Sequence, residues 1–167
     1  MTKTAALTVS IGLLAVADTY LTATVLPVPV WVTFIAWASF FACGGGLNGL
    51  VKSVASNITG LIIASATLIA IAMTSDHPVV AAIWVGIGSA AMIVATLVPL
   101  LSFPPAIVFG FASTVGTVAA TGHPITTLGL GSPALIAATA IVVGGLFGLA
   151  SEVFADAMTA KAATSSA

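Results

Sequence analysis

Apolar residues run along this chain in long, nearly unbroken stretches, and proline, glycine and polar residues fall between them. The first stretch, about Thr4 to Leu26, is long enough to cross a bilayer core of about 30 Å. Pro27 and Pro29 close it, because proline lacks the N–H that an interior turn needs. The pattern predicts a second helix from Val30 through Cys43 into the glycines at about Gly46, and a third over about Val54–Met73. Thr74-Ser-Asp76-His77-Pro78 reads as a loop in which Asp76 caps the fourth helix, about Val79–Leu100. Helix five is placed at about Pro104–Ala120 and helix six at about Pro133–Phe154, with Ser132-Pro133 as its cap and first turn. Residues 155–167 read as a tail. All eight prolines fall at these boundaries or within a turn of one, a signal independent of hydropathy.

One stretch stands out. Phe34, Trp37 and Phe41 recur at helical spacing and run into Gly44, Gly45, Gly46, Asn48 and Gly49. The expectation is that helix two opens there at membrane depth, where unpaired backbone is tolerated only if packed in protein or lining a wet cavity. Helix five carries Gly110 and Gly116 in the matching position. Three helices per half is an odd number, so a repeat relating helices one to three with four to six has inverted topology. Glycine-broken segments at corresponding places in two such halves mark the solute site in many transporters.

Composition then fixes the class. Of 167 residues 60% are hydrophobic and 4% charged, against about 25% charged in a soluble domain. The fold class expected is all-α: a single polytopic membrane domain of six transmembrane helices, with the lipid bilayer as its first partner. With three lysines and no arginine, nucleic acid is not expected as a partner. Cys43 is alone, which excludes an intramolecular disulfide and a cysteine-rich metal site. Lys3, the apolar run and Ala15-Val-Ala17 resemble a signal peptide, but the run continues past Ala17 far enough to span, so it reads as the first helix. Six helices with the N-terminus inside put Lys3, Lys52 and Lys161 on the cytoplasmic side, as the positive-inside rule requires, and both termini are then cytoplasmic. Trp31 and Trp84 fall near the outer interface.

The candidate chemistry is sparse. Asp18 lies inside helix one, somewhat beyond its centre, where a carboxylate costs about 2.5–3.5 kcal/mol on insertion scales. It shares a face with Thr4, Thr8, Ala15 and Thr22. Two readings stay open: a solute or proton site, or a carboxyl bonded to Thr22 or Tyr20 or hydrated near the interface. Glu152 reads as a side chain reaching interfacial water, and Lys52 as a topology-setting lysine. Asn48 and Asn57 offer amides to a polar solute, and Asn57 equally a cap for helix three. His77 and His123 fall in loops without further ligands, so no metal and no cofactor are expected. No nucleophile–base pair, phosphate loop or redox motif is visible, so an enzyme is not expected.

The block Trp31-x-x-Phe34…Phe40-Phe41-Ala42-Cys43-Gly-Gly-Gly…Gly49-Leu50, with Leu100-Leu-Ser-Phe-x-Pro105…Gly110, resembles the YcdZ-like family of small bacterial inner-membrane proteins. The resemblance implies a polytopic protein of the bacterial inner membrane and supplies no activity. The residues themselves point to a channel or facilitator for a small, uncharged solute. Its path would pass Asp18, Thr22, Phe34, Trp37 and Phe41 to Gly44, Gly45, Gly46, Asn48 and Gly110. A proton-coupled secondary transporter and a structural membrane subunit without a path are the alternatives. A small six-helix protein of this kind is expected to form a homo-oligomer.

Overall fold

The computed structural model describes residues 1–75 and 77–164, with the backbone alone for 161–164. Among the described residues six α-helices form: α1 (Lys3–Thr24), α2 (Val30–Ala42), α3 (Gly46–Thr74), α4 (Pro78–Ala95), α5 (Pro104–Thr121) and α6 (Pro133–Thr164). No strand occurs among the described residues. Five of the helices are long and apolar enough to span, so the chain is a helical membrane protein. The sixth, α2, has 13 residues, about 20 Å of helix, which is short of a bilayer core.

The proline boundaries hold, and the glycine boundary differs. Cys43 to Gly45 form a tight turn, and α3 begins at Gly46 rather than near Val54. Gly44, Gly45 and Gly46 have φ of 100°, 70° and 62°, a region closed to most side chains, so the sequence can reverse direction within three residues. The turn sits at the end of the bundle that carries Lys3, beside Glu152 and one helical turn from Asp156. Helix two thus ends in a tight reversal into α3 and not in an unwound span. Nor is α5 broken: it runs unbroken through Gly110 and Gly116. Helix four ends at Ala95, followed by a short 3-10 turn at Pro99–Leu101. The expected tail from 155 is helical as far as Thr164.

Asp76, expected to cap α4, lies outside the described residues, as does the side chain of Lys161. His77 makes the cap instead, its Nδ1 accepting from Val79 N–H at 3.3 Å. Ser132 caps α6 as expected, accepting from Leu135 N–H at 3.4 Å.

Helix pairing follows an inverted repeat. Within the first half α1 packs on α2 and α2 on α3; within the second α4 packs on α5 and α5 on α6. Across the halves α2 packs on α6 and α5 on α3, while α1 lies along α6 and α4 along α3. Exchanging the halves reproduces the same set of pairs. The two heaviest contacts are built alike. Gly60 of α3 meets the Ile107 carbonyl of α5, and Gly144 of α6 meets the Thr33 carbonyl of α2, with no room for a Cβ at either glycine. Backbone-to-backbone approach of this kind is how helices gain packing energy in lipid, where hydrophobic burial gives none. The core follows α2 and α6, with Val32, Ala36, Ala137, Ala140 and Ile141 all buried.

Candidate functional site

Among the described residues twelve polar or charged side chains are buried in this apolar bundle, and the functional question is which of them are accounted for. Asp18 on α1 is fully buried, so it is not wetted at the surface. Its Oδ2 lies in short hydrogen-bond contact with the Thr33 hydroxyl of α2, while Oδ1 has no partner. Neither Thr22 nor Tyr20 supplies the bond. The Thr22 hydroxyl turns back to the carbonyls of Asp18 at 2.8 Å and Thr19 at 3.2 Å, and Tyr20 is 69% exposed.

Thr33 also stands 2.7 Å from the Val30 carbonyl oxygen. A hydroxyl has one proton and a carbonyl none. If Thr33 donates to the carboxylate, its contact with Val30 has no hydrogen. If it donates to Val30, its lone pair is free to accept from a protonated Asp18. The second arrangement gives each contact its own hydrogen, whereas an ionised Asp18 leaves the two oxygens sharing one.

The ring stripe is divided between the inside and outside of the bundle. Trp37 is buried, stacks on Phe147 at 5.6 Å and donates from Nε1 to Ser151 Oγ at 3.0 Å. Ser151 in turn receives the Ser10 hydroxyl on its carbonyl at 2.7 Å, which ties α1, α2 and α6 together. Phe34 is 40% exposed and Phe41 half-buried; both line an open groove of about 200 Å³ with Ile11, Trp37 and Ala38. The inward ring is Phe40, packed on Gly148. Of the remaining expected residues, Gly44 and Asn48 are exposed at the α2–α3 turn. Gly45 packs on the Glu152 carboxylate, and Gly46 donates its N–H to Glu152 Oε2 at 2.6 Å. Gly110 is spent on the contact with the Asn57 backbone. The expected path from Asp18 through the rings to the glycines is thus not brought together.

Glu152, half-exposed, also has a partner within the bundle. It caps the first turn of α3, where a carboxylate meets both free N–H groups and the positive end of the helix dipole. Lys52 is exposed. Asn57 caps nothing: it is fully buried within α3, donating from Nδ2 to Ser39 Oγ and to the Ser53 carbonyl, each at 2.8 Å. Ser53 also donates to Ser39 at 2.8 Å. Among the described residues, open apolar grooves of about 200 to 370 Å³ lie between helices, and neither Asp18 nor Asn57 lines those at Leu13, Trp84, Val54, Leu21 or Phe34. Among the described residues no cluster of three metal-ligating side chains occurs.

A family model described as "Protein of unknown function (DUF1097)" matches residues 8–156. The chain belongs to the DUF1097 family. Neither a curated protein nor a solved structure matches it. The match takes in α2 to α5 whole and most of α1 and α6 in this DUF1097 protein, so Asp18, Thr33 and the glycine turn all lie inside the family region.

Proposed function

We propose that this DUF1097 protein is a small-solute transporter of the bacterial inner membrane, YcdZ-like, with cytoplasmic termini, whose movement is coupled to protons through Asp18. One observation carries the reading: Asp18 is fully buried inside the bundle, and its contact with Thr33 and that of Thr33 with Val30 each have a hydrogen of their own when Asp18 carries a proton. A carboxyl that holds a proton inside the bilayer, with no cation beside it among the described residues, is the group a proton-coupled carrier needs. The inverted pairing of helices adds support, since two oppositely oriented halves are the usual frame for alternating access. None of the grooves described above reaches Asp18, which supports such a carrier over a standing open channel. We assign the chain no catalytic activity. α4, buried only at Gly88 and Met92, offers the face on which a homo-oligomer would form.

The test is proton flux in proteoliposomes. With a pH-sensitive dye inside, an imposed potential and a panel of small uncharged solutes supplied outside, the wild type acidifies the lumen faster than empty vesicles, and Asp18→Asn does not. Equal flux from both proteins would remove Asp18 from the mechanism. The seclusion of Asp18 also favours a second reading, a structural subunit without a path. That reading predicts no flux from either protein and co-purification with a larger membrane complex.

A further inference from the structure

The two close crossings also fix the register between the halves. Gly60 corresponds to Gly144, and Ile107 to Thr33. Seven residues on from the glycines, Thr67 of α3 takes the place of Ser151 in α6; four on from the carbonyls, Phe111 of α5 takes that of Trp37 in α2. Gly88 of α4 is set against Thr67 and Phe111, so it stands where Ser10 of α1 stands against Ser151. The inversion shows in the helices. Ser10 lies about two turns from the start of α1 at the Lys3 end, and Thr67 about two turns from the opposite end of α3.

These two equivalent places are built differently. At the first, the Ser10 hydroxyl donates to the Ser151 carbonyl at 2.7 Å, and Trp37 Nε1 donates to Ser151 Oγ at 3.0 Å. Both bonds are buried and tie α1 and α2 to α6. At the second, Gly88 has no side chain, Phe111 has no donor, and the Thr67 hydroxyl turns back to the Ile63 carbonyl of its own helix at 2.9 Å. Packing alone holds that place, so the architecture does not require a polar tie at its counterpart.

The position of the tie suggests its use. Ser10 and Asp18 share the buried face of α1, about two turns apart, and Trp37 lies about one turn from Thr33 on α2. Both steps lead from the acid toward the Lys3 end. The tie, with the indole stacked on Phe147, therefore stands between the Asp18–Thr33 pair and that end. Toward the other end of α1, the Thr22 and Thr24 hydroxyls bond only within their own helix.

We infer that the Ser10–Ser151–Trp37 tie is the gate that closes Asp18 off from the Lys3 end of the bundle. It opens as α1 moves off α6 and the indole swings away from Ser151, while the backbone contact of α2 with Gly144 stays as it is. Both moving parts have open space beside them. A groove of about 360 Å³ lined by Ser10, Leu13 and Phe154 lies between α1 and α6, and the groove of about 200 Å³ at Ile11 and Phe34 is lined by Trp37 itself. Water that enters with the opening takes over both donors, so the gate is held by the small net worth of two hydrogen bonds. The inference rests on the transporter reading and names what keeps its proton from leaking.

The test is proton leak with no solute supplied. In vesicles with a pH-sensitive dye inside and an imposed potential, Trp37→Phe and Ser10→Ala should each acidify the lumen about fivefold faster than the wild type, the effect of one hydrogen bond on the closed state. Adding Asp18→Asn should abolish the extra leak. Gly60→Ala, which strains the α3–α5 crossing, is the control for general loosening and should leak no more than the wild type. No extra leak in either tie variant overturns the gate. A leak that survives Asp18→Asn, or one that Gly60→Ala matches, overturns it too. If the gate fails while the wild type still shows Asp18-dependent flux with the solute panel, the transporter reading survives; if that flux is absent as well, both fall.

Discussion

Thr33→Val is the sharpest perturbation of the buried acid. Valine matches threonine in shape and removes only the hydroxyl. The Val30 carbonyl keeps its place in the helix ladder, whereas Asp18 loses the partner of Oδ2 and already has none at Oδ1. Leaving a buried polar group unmet costs about 1–3 kcal/mol. The added methyl returns about 0.8 kcal/mol at most. A net loss of about 1–2 kcal/mol follows, measured as the free energy of unfolding in mixed detergent micelles by circular dichroism. Asp18→Val removes the same contact from the other side. The double variant, with neither polar group, should then lie well above the sum of the single losses, with a coupling of about 1 kcal/mol or more. Thr33→Val within about 0.5 kcal/mol of the wild type, together with strict additivity, would refute the claim that these two side chains depend on each other.

Three further outcomes follow from the packing. Gly60→Ala drives a methyl into the Ile107 carbonyl and should cost about 1–3 kcal/mol, whereas Gly12→Ala, with open space around it, should be neutral or gain up to about 1 kcal/mol; equal melting temperatures would contradict the close crossing. Glu152→Gln removes the charge that caps α3 and should cost about 0.5–1 kcal/mol, with faster amide exchange confined to the α2–α3 turn; unchanged exchange there would sink the capping role. Trp37→Phe keeps the ring over Phe147 but loses the bond to Ser151, for about 1 kcal/mol in thermal unfolding, and no change would mean that the indole N–H is not bonded.

Much of the fold was legible because prolines and long apolar runs leave few choices in a membrane. Helix number and class follow from them, and the odd count per half leads to the inverted pairing. The glycines misled for a local reason. Three consecutive residues free to adopt positive φ can make a reversal as easily as an unwound span, and only the carboxylate of Glu152, far off in sequence, shows which was formed. The site was half legible. An acid inside an apolar helix announces itself, so Asp18 was visible. Its partner was not: Thr33 sits among the rings of α2, and the rings drew attention to the face of Phe34 and Phe41, which points outward. Thr33, Ala36, Trp37 and Phe40 repeat at the same helical spacing, and choosing between the two stripes requires knowing which side meets α6. Ser39, Ser53, Ser56 and Ser113 carried no signal, since serine in such a helix ordinarily satisfies itself against its own backbone.

The central claim is that Asp18 holds a proton inside the bundle. Infrared spectroscopy of the reconstituted protein at neutral pH tests it directly. The wild type should show the carbonyl stretch of a protonated carboxylic acid, shifted in heavy water and absent from Asp18→Asn. A wild type that shows only carboxylate bands, one of which disappears in Asp18→Asn, would contradict it.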